Sequence, residues 1–294
     1  MAVMESLATL IGRATGRPFT IDQRHPVGGG CINTTEVLEG GGQKYFVKQN
    51  DAAQLDMFEA EASGLREIIA SHSVRVPQPI AHGHAEGRAC LVLEYLNLGS
   101  PGSTSEAELA RQLAAMHRHT QTRFGWSRNN TIGATAQINT EERDWVAFFR
   151  EHRLRFQLAL AAKNSLGGNL LQRGEKLLEK LPVFFANYQP LPSLLHGDLW
   201  GGNHAALRDG TPVIFDPAVY YGDREADIAM TELFGGFSPD FYEAYNEAWP
   251  LDAGYKVRKN LYNLYHVLNH YNLFGGSYSA QAGRLIDSLL AEAH

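Results

Sequence analysis

The stretch Leu194-Leu195-His196-Gly197-Asp198-Leu199-Trp200-Gly201-Gly202-Asn203, followed by Val213-Ile214-Phe215-Asp216-Pro217, decides the reading of this chain. Leu194 and Leu195 anchor a glycine-broken loop that carries Asp198 and Asn203, so both side chains can turn toward one cleft. Asp216 ends the apolar run Pro212 to Phe215, where a hairpin partner strand would return it beside the first loop. Gly-Asp and Gly-Gly are common turn material, and a surface turn is the bland reading of the loop taken alone. The composite with Asp216 decides against it. Transfer of a phosphoryl group needs little covalent chemistry from protein: an oriented hydroxyl, a divalent cation on the phosphate oxygens and fixed charge around the transition state. Asp198, Asn203 and Asp216 supply residue types for those parts.

The bulk numbers leave room for that chemistry and argue against others. At 294 residues the chain is long enough for two domains or one two-lobed enzyme. A 44% apolar and 20% charged composition is that of an ordinary globular protein. The 26 Lys and Arg against 32 Asp and Glu give a net charge of −6, which opposes non-specific binding to nucleic acid or to an anionic membrane. A dissolved small substrate fits better. Two cysteines, Cys31 and Cys90, are too few for a disulfide framework and suit a reducing compartment, so the cytoplasm is the expected location. The first residues show no basic start with an apolar core, and no apolar run approaches membrane-spanning length.

Along the chain, turn signals at Gly28-Gly29-Gly30 and Gly40-Gly41-Gly42 flank β-prone runs, Cys31 to Leu38 and Tyr45 to Lys48, and predict a glycine turn feeding a hairpin. Phe58, Ala62, Leu65 and Ile69 recur at helical spacing and predict a helix over 56–70 that packs on the hairpin sheet. Val74 to Ile80 holds Pro77 and Pro79 and must be extended, whereas Ala89 to Leu96 reads as a buried strand. The composition shift at Asn97 to Ser105 marks a hinge, dividing the chain into residues 1–96 and 97–294. Beyond it Ser105 and Glu108 have capping-box spacing ahead of a helix ending near His117, and helical patterns dominate, including 145–162 and the region around Leu261, Leu264, Tyr265 and Leu268.

A glycine triplet is more often a flexible turn than a phosphate cradle, and Gly28-Gly29-Gly30 matches neither the P-loop nor the dinucleotide spacing. Its weight comes from Lys48, at the end of a β-branched and aromatic run whose strand would aim one ammonium into the cleft. Such a lysine needs a carboxylate, and the 56–70 helix offers both Glu59 and Glu61, with a slight preference for Glu61 by its angle to the apolar stripe. Cys31 directly follows the glycines. A thiol there is either small apolar filler or, beside backbone N–H donors, a redox handle. His266 and His270 lie four apart, but no carboxylate completes a zinc motif.

Taken together, Gly28-Gly29-Gly30-Cys31-Ile32, Phe46-Val47-Lys48, Leu194 to Asn203, Phe215-Asp216-Pro217 and Tyr220-Tyr221-Gly222-Asp223-Arg224-Glu225-Ala226-Asp227 resemble the fructosamine kinase (ketosamine 3-kinase) family. The resemblance extends through Trp145 to Ala162 and Leu273-Phe274-Gly275-Gly276, nearly the whole chain. It implies an α+β, two-lobed protein-kinase-like fold, with a small β-rich N-terminal lobe and a larger helical C-terminal lobe like that of aminoglycoside kinases. It also implies ATP and Mg²⁺ between the lobes and transfer to the 3-hydroxyl of a ketoamine, a fructosamine or ribulosamine, free or on a glycated protein lysine, as a deglycation repair.

Residue by residue, the resemblance makes Asp198 the base, Asn203 and Asp216 the Mg²⁺ ligands, Lys48 the phosphate lysine and Glu61 its partner. Glu94, Tyr95 and Leu96 resemble the hinge, with backbone groups of Glu94 and Leu96 on adenine, and Asp227 resembles a support for the catalytic-loop backbone. Trp200 is either a wall of the sugar site or a core tryptophan. The phosphate machinery alone says little about the acceptor, so a kinase for an aminoglycoside, a choline-like alcohol or a sugar stays open, as does a nucleotide-binding module without turnover. No segment argues for a particular oligomeric state.

Overall fold

The computed structural model describes residues 5–28 and 32–293. Gly29, Gly30 and Cys31 lie outside the described residues, and with them the expectations placed on that part of the glycine turn and on the Cys31 thiol.

The chain opens with helix α1 (Leu7–Thr15), which the sequence reading did not anticipate. Its signals were present: the Ser6 hydroxyl accepts the Thr9 N–H at 3.1 Å, Leu7, Leu10 and Ile11 bury one face, and Gly16 closes the helix with φ 70°. Strands β1 (Gln23–Val27), β2 (Thr34–Gly40) and β3 (Gln43–Asn50) form a meander. Gly41 and Gly42, at φ 54° and 76°, close the β2–β3 turn in the left-handed region that side chains resist. Helix α2 (Leu55–Ala70) matches the predicted helix, and β4 (Pro79–Ala85) and β5 (Arg88–Glu94) complete an antiparallel sheet in the order β1-β2-β3-β5-β4. The strand expected over 89–96 therefore stops at Glu94.

The continuous apolar run of β5 has a direct cause: both faces of its sheet are covered. Cys90 and Val92 pack with Leu7, Leu10 and Ile11 of α1, while Ala89, Leu91 and Leu93 join Phe58 and Leu65 of α2 in a second, larger core. Burial and its contact with the Gly83 carbonyl leave the Cys90 thiol inert, with its pKa pushed up by burial to about 11.

After β5 come β6 (Leu98–Gly99) and α3 (Ser103–His117). Here the capping expectation needs correction. Gly102 caps α3, and Ser105 sits inside the first turn, its hydroxyl accepting the Gly102 N–H at 2.9 Å. Glu108 points instead to Gln112 one turn on. A hairpin follows, β7 (Asn130–Ile132) and β8 (Thr135–Gln137). The helical run predicted over 145–162 is α4 (Trp145–Phe149), a π-helical turn (Arg150–Arg155) and α5 (Phe156–Lys163), then α6 (Gly168–Lys180).

Four short strands carry the decisive motif: β9 (Ser193–Leu195), β10 (His204–Leu207), β11 (Pro212–Ile214) and β12 (Tyr220–Gly222). Strand β10 pairs with β11 on one side and β6 on the other, and β12 pairs with β9. Helices α7 (Glu225–Leu233), α8 (Pro239–Ala248), α9 (Tyr255–Phe274) and α10 (Tyr278–Glu292) complete the chain.

Phe58 is fully buried where α2 meets the large core, whereas Phe274 is 57% exposed. Phe58→Ala is expected to lower the unfolding free energy by about 3–5 kcal/mol, and Phe274→Ala by no more than about 0.5 kcal/mol, in urea titrations. Equal losses would mean that the core does not run through α2.

Candidate active site

Strand pairing brings the three parts of the motif together. His204 opposes Ile214 across β10 and β11, so Asn203 and Phe215 continue the ladder, with Phe215 N–H donating to the Asn203 carbonyl at 3.1 Å. Asp216 is thereby delivered next to Asn203. The Asn203 amide in turn donates to the Asp198 carbonyl at 2.9 Å, which closes the loop over itself. Asp216 holds φ 58°, a left-handed conformation that costs a non-glycine residue about 1–3 kcal/mol and persists only where its surroundings over-determine it.

Those surroundings begin with Lys48. Its strand β3 runs through the middle of the small sheet, and Nζ reaches Glu61 Oε1 and Asp216 Oδ1, each at 2.6 Å. The lysine side chain is 5% exposed, Glu61 12% and Asp216 49%. Burial alone would lower the Lys48 pKa, but attraction to Asp216 and Glu61 outweighs it and holds the ammonium well above its usual range. The structure thus separates the two glutamates that the sequence left nearly level: Glu61 carries the ion pair, and Glu59 takes no part in it.

Behind the loop lies Asp227, near the start of α7 and 1% exposed. Its carboxylate accepts the backbone N–H of His196 at 2.7 Å and of Gly197 at 2.8 Å, together with His117 Nε2–H at 3.1 Å. Burial would raise its pKa, but these donors together hold it below the ordinary carboxylate range. His117 is kept neutral by burial, so its other nitrogen, Nδ1, accepts the Tyr245 hydroxyl at 2.7 Å. His117 and Tyr245 were not singled out from sequence. His117 is remote along the chain from both of its partners, Asp227 and Tyr245, and a lone histidine at a helix end carries no motif.

The remaining candidates are more loosely arranged. Gly28 is exposed, with no described atom within 4 Å of where a Cβ would sit. The Glu94 N–H donates to the Gln78 carbonyl at 2.9 Å, and its side chain pairs with Arg75, so at most the Glu94 carbonyl is left for a ligand. Tyr95 and Leu96 follow, half-buried, with the Lys44 ammonium 5.6 Å from the Tyr95 ring centre. Trp200 is 42% exposed and folds its ring over Gly202, so the core reading of that tryptophan is the wrong one.

Asp198 sits half-buried, and its pKa is pushed up to about 7, first by loss of solvation and then by the charges of Asp216 and Asp227. A folded-state pKa above the unfolded value means that ionised Asp198 destabilises the fold, fully above about pH 7 and not at all below about pH 4. Asp198→Asn is therefore expected to melt at a higher temperature than the parent at pH 8, with the gap shrinking as the pH falls through 7 toward 4. A gap that is constant with pH would remove the assigned cause.

The sequence model of the fructosamine kinase family matches residues 3–292. A probable ketoamine kinase of Synechocystis sp. is 48% identical over 98% of this chain and 97% of its own length. The crystal structure of a Haemophilus somnus 129PT protein assigned as a fructosamine-3-kinase superposes with a TM-score of 0.89 at 30% identity, covering 97% of each chain. At 15% identity, a ternary complex of the aminoglycoside phosphotransferase APH(4)-Ia with ADP and hygromycin B shares the kinase-like α+β fold, with a TM-score of 0.63 over 97% of this chain and 98% of that one. With a match that spans nearly its full length, the chain belongs to the fructosamine kinase family.

Proposed function

We propose that the protein transfers the γ-phosphoryl group of ATP to the 3-hydroxyl of a ketoamine, a fructosamine or ribulosamine carried by a small amine or a protein lysine, as the first step of deglycation. The observation that carries this reading is the contiguity of Asp198, Asn203, Asp216 and Lys48, with Asn203 bonded to the Asp198 carbonyl and Lys48 to the Asp216 carboxylate, in a chain whose relatives bear ketoamine kinase and fructosamine-3-kinase names. Residues 1–96, with the Lys48 sheet, serve as the nucleotide lobe, and residues 97–294 as the lobe that holds the acceptor. The ADP in the aminoglycoside phosphotransferase complex supports ATP as donor.

Mg²⁺ fits the residues present. Asn203 uses its amide nitrogen on Asp198 and Asp216 gives one oxygen to Lys48, and among the described residues the Asn203 amide oxygen and the second Asp216 oxygen meet no hydrogen-bond donor, so two hard oxygen donors suit the ion. Bound there, Mg²⁺ would neutralise phosphate oxygens as charge redistributes. Lys48 then adds a fixed positive charge on the sheet side of the cleft, while Gly28 and the Glu94–Leu96 segment border the nucleotide. Asp198 orients the acceptor hydroxyl and takes its proton as the oxygen bonds to phosphorus and ADP departs. A carboxylate poised near 7 suits that exchange. Trp200, exposed on the same loop, forms a wall for the sugar. With only two cysteines in the sequence, and no helix of the described residues long and apolar enough to cross a membrane, we place the reaction in the cytoplasm.

A coupled ADP-release assay with Mg²⁺ and a panel of fructosyl- and ribulosyl-amines, aminoglycosides and free sugars tests the assignment. Turnover is expected on the ketoamines and to fall by roughly 10²-fold or more in Asp198→Asn. Turnover on aminoglycosides or sugars alone would move the acceptor class, and none on any compound would leave a nucleotide-binding module.

A further inference from the structure

The hairpin β7–β8 and its flank carry three buried amides that the proposed chemistry does not use: Asn130, Gln137 and Asn139, at 8%, 1% and 0% exposure. Buried amides are costly unless every donor and acceptor is met, so where they point is informative. Gln137 Nε2 donates to the Ala218 carbonyl at 3.0 Å and to Asn130 Oδ1 at 2.9 Å, and its oxygen accepts the Tyr265 hydroxyl at 2.7 Å. Asn130 Nδ2 donates to the Val219 carbonyl at 2.8 Å, and Asn139 Nδ2 donates to Asn130 Oδ1 at 2.9 Å. Arg153, fully buried, completes the set on Asn139 Oδ1 at 2.7 Å.

The two carbonyls they hold belong to the segment that leaves Asp216. Ala218 is also the point where that segment touches the catalytic loop. Its N–H donates to the His196 carbonyl at 2.8 Å, and its carbonyl lies so close to Gly197, at φ 83°, that a Cβ there would stand 2.1 Å away. One peptide therefore stands two residues from Asp216 and packs against the residue before Asp198. We propose that Gln137 and Asn130 are positioning residues for phosphoryl transfer: by fixing the Ala218 and Val219 carbonyls they set Asp198 and the strained Asp216 in mutual register. This rests on the kinase reading above and adds residues to it that touch neither nucleotide nor acceptor.

The test uses the full-length protein and two variants. Gln137→Met keeps volume and removes the donor to Ala218. Asn130→Asp keeps the acceptor for Gln137 and Asn139 and removes the donor to Val219. Leu289→Ala, in the core of α10, serves as a control for plain loss of stability. Turnover is measured on a ketoamine with MgATP, well below each melting temperature and normalised to the folded fraction. Both amide variants are expected to lose about tenfold or more in kcat, with KM for MgATP and for ketoamine within about twofold of the parent, because a small misplacement of reacting groups costs rate more than binding. Leu289→Ala is expected to lose stability with kcat unchanged. Parental kcat in either folded amide variant would overturn the proposal. So would failure of both to fold, which would assign the amides to the folding core alone. Lack of turnover in the parent protein would instead sink the functional reading.

Discussion

The arrangement of the site depends on one buried negative charge. Asp227 has almost no contact with solvent, and an ion in that position is tolerated only when hydrogen bonds replace the lost water. The fold meets this demand with two consecutive backbone N–H groups of the catalytic loop and one imidazole. The dependence runs both ways. Without Asp227 those two N–H groups would themselves be buried without partners, and the bend at Gly197 that leads into Asp198 would lose its anchor. Burial keeps the His117 imidazole neutral and the relay from Arg224 through the Tyr245 hydroxyl holds it in one tautomer, so the carboxylate receives its third hydrogen bond without a second full charge beside it.

In front of the loop the balance is reversed. Asp198, Asp216 and Asp227 crowd one region, Asp216 holds a backbone angle that resists any side chain, and Asp198 is pushed toward its protonated form. None of this favours folding. Local costs of this kind gather at functional sites and are offset elsewhere. Here the offset comes from the large core that joins α2 to the helices after residue 100, and from the buried amides behind Ala218.

Which parts of this were legible in the sequence follows from the range of the interactions involved. The loop from Leu194 to Asn203 and the strand before Asp216 are close along the chain and written in glycines and apolar runs, so their pairing could be argued from pattern. The same holds for α2 and for the hairpin at Gly41 and Gly42. Helix α1 was overlooked although Ser6, Gly16 and its apolar spacing announce it, because no catalytic motif draws attention there. The cap of α3 was misplaced because Ser105 and Glu108 have capping-box spacing, whereas in the fold Ser105 acts from inside the first turn. The choice between Glu59 and Glu61 turned on some tens of degrees around a helix, which an ideal periodicity barely separates. His117, Tyr245, Asn130 and Gln137 carried no local signal at all. Each acquires its meaning from a partner more than 80 residues away: His117 from Asp227, Tyr245 from His117, Asn130 from Val219 and Gln137 from Tyr265.

Lys48 ties these levels together. Its ammonium is shared between a helix carboxylate and the residue proposed to hold the cation, both at 2.6 Å. The shared charge offsets part of the negative charge gathered at Glu61 and Asp216. It also ties the small sheet and α2 to the segment that follows β11, because Glu61 and Asp216 approach one nitrogen from different parts of the fold. In the proposed reading, a phosphate meets this nitrogen as a donor already charged and already desolvated, so little of the binding free energy goes into reorganising it. On that reading the desolvation of the lysine was met on folding rather than during the reaction, which is what a preorganised charge requires.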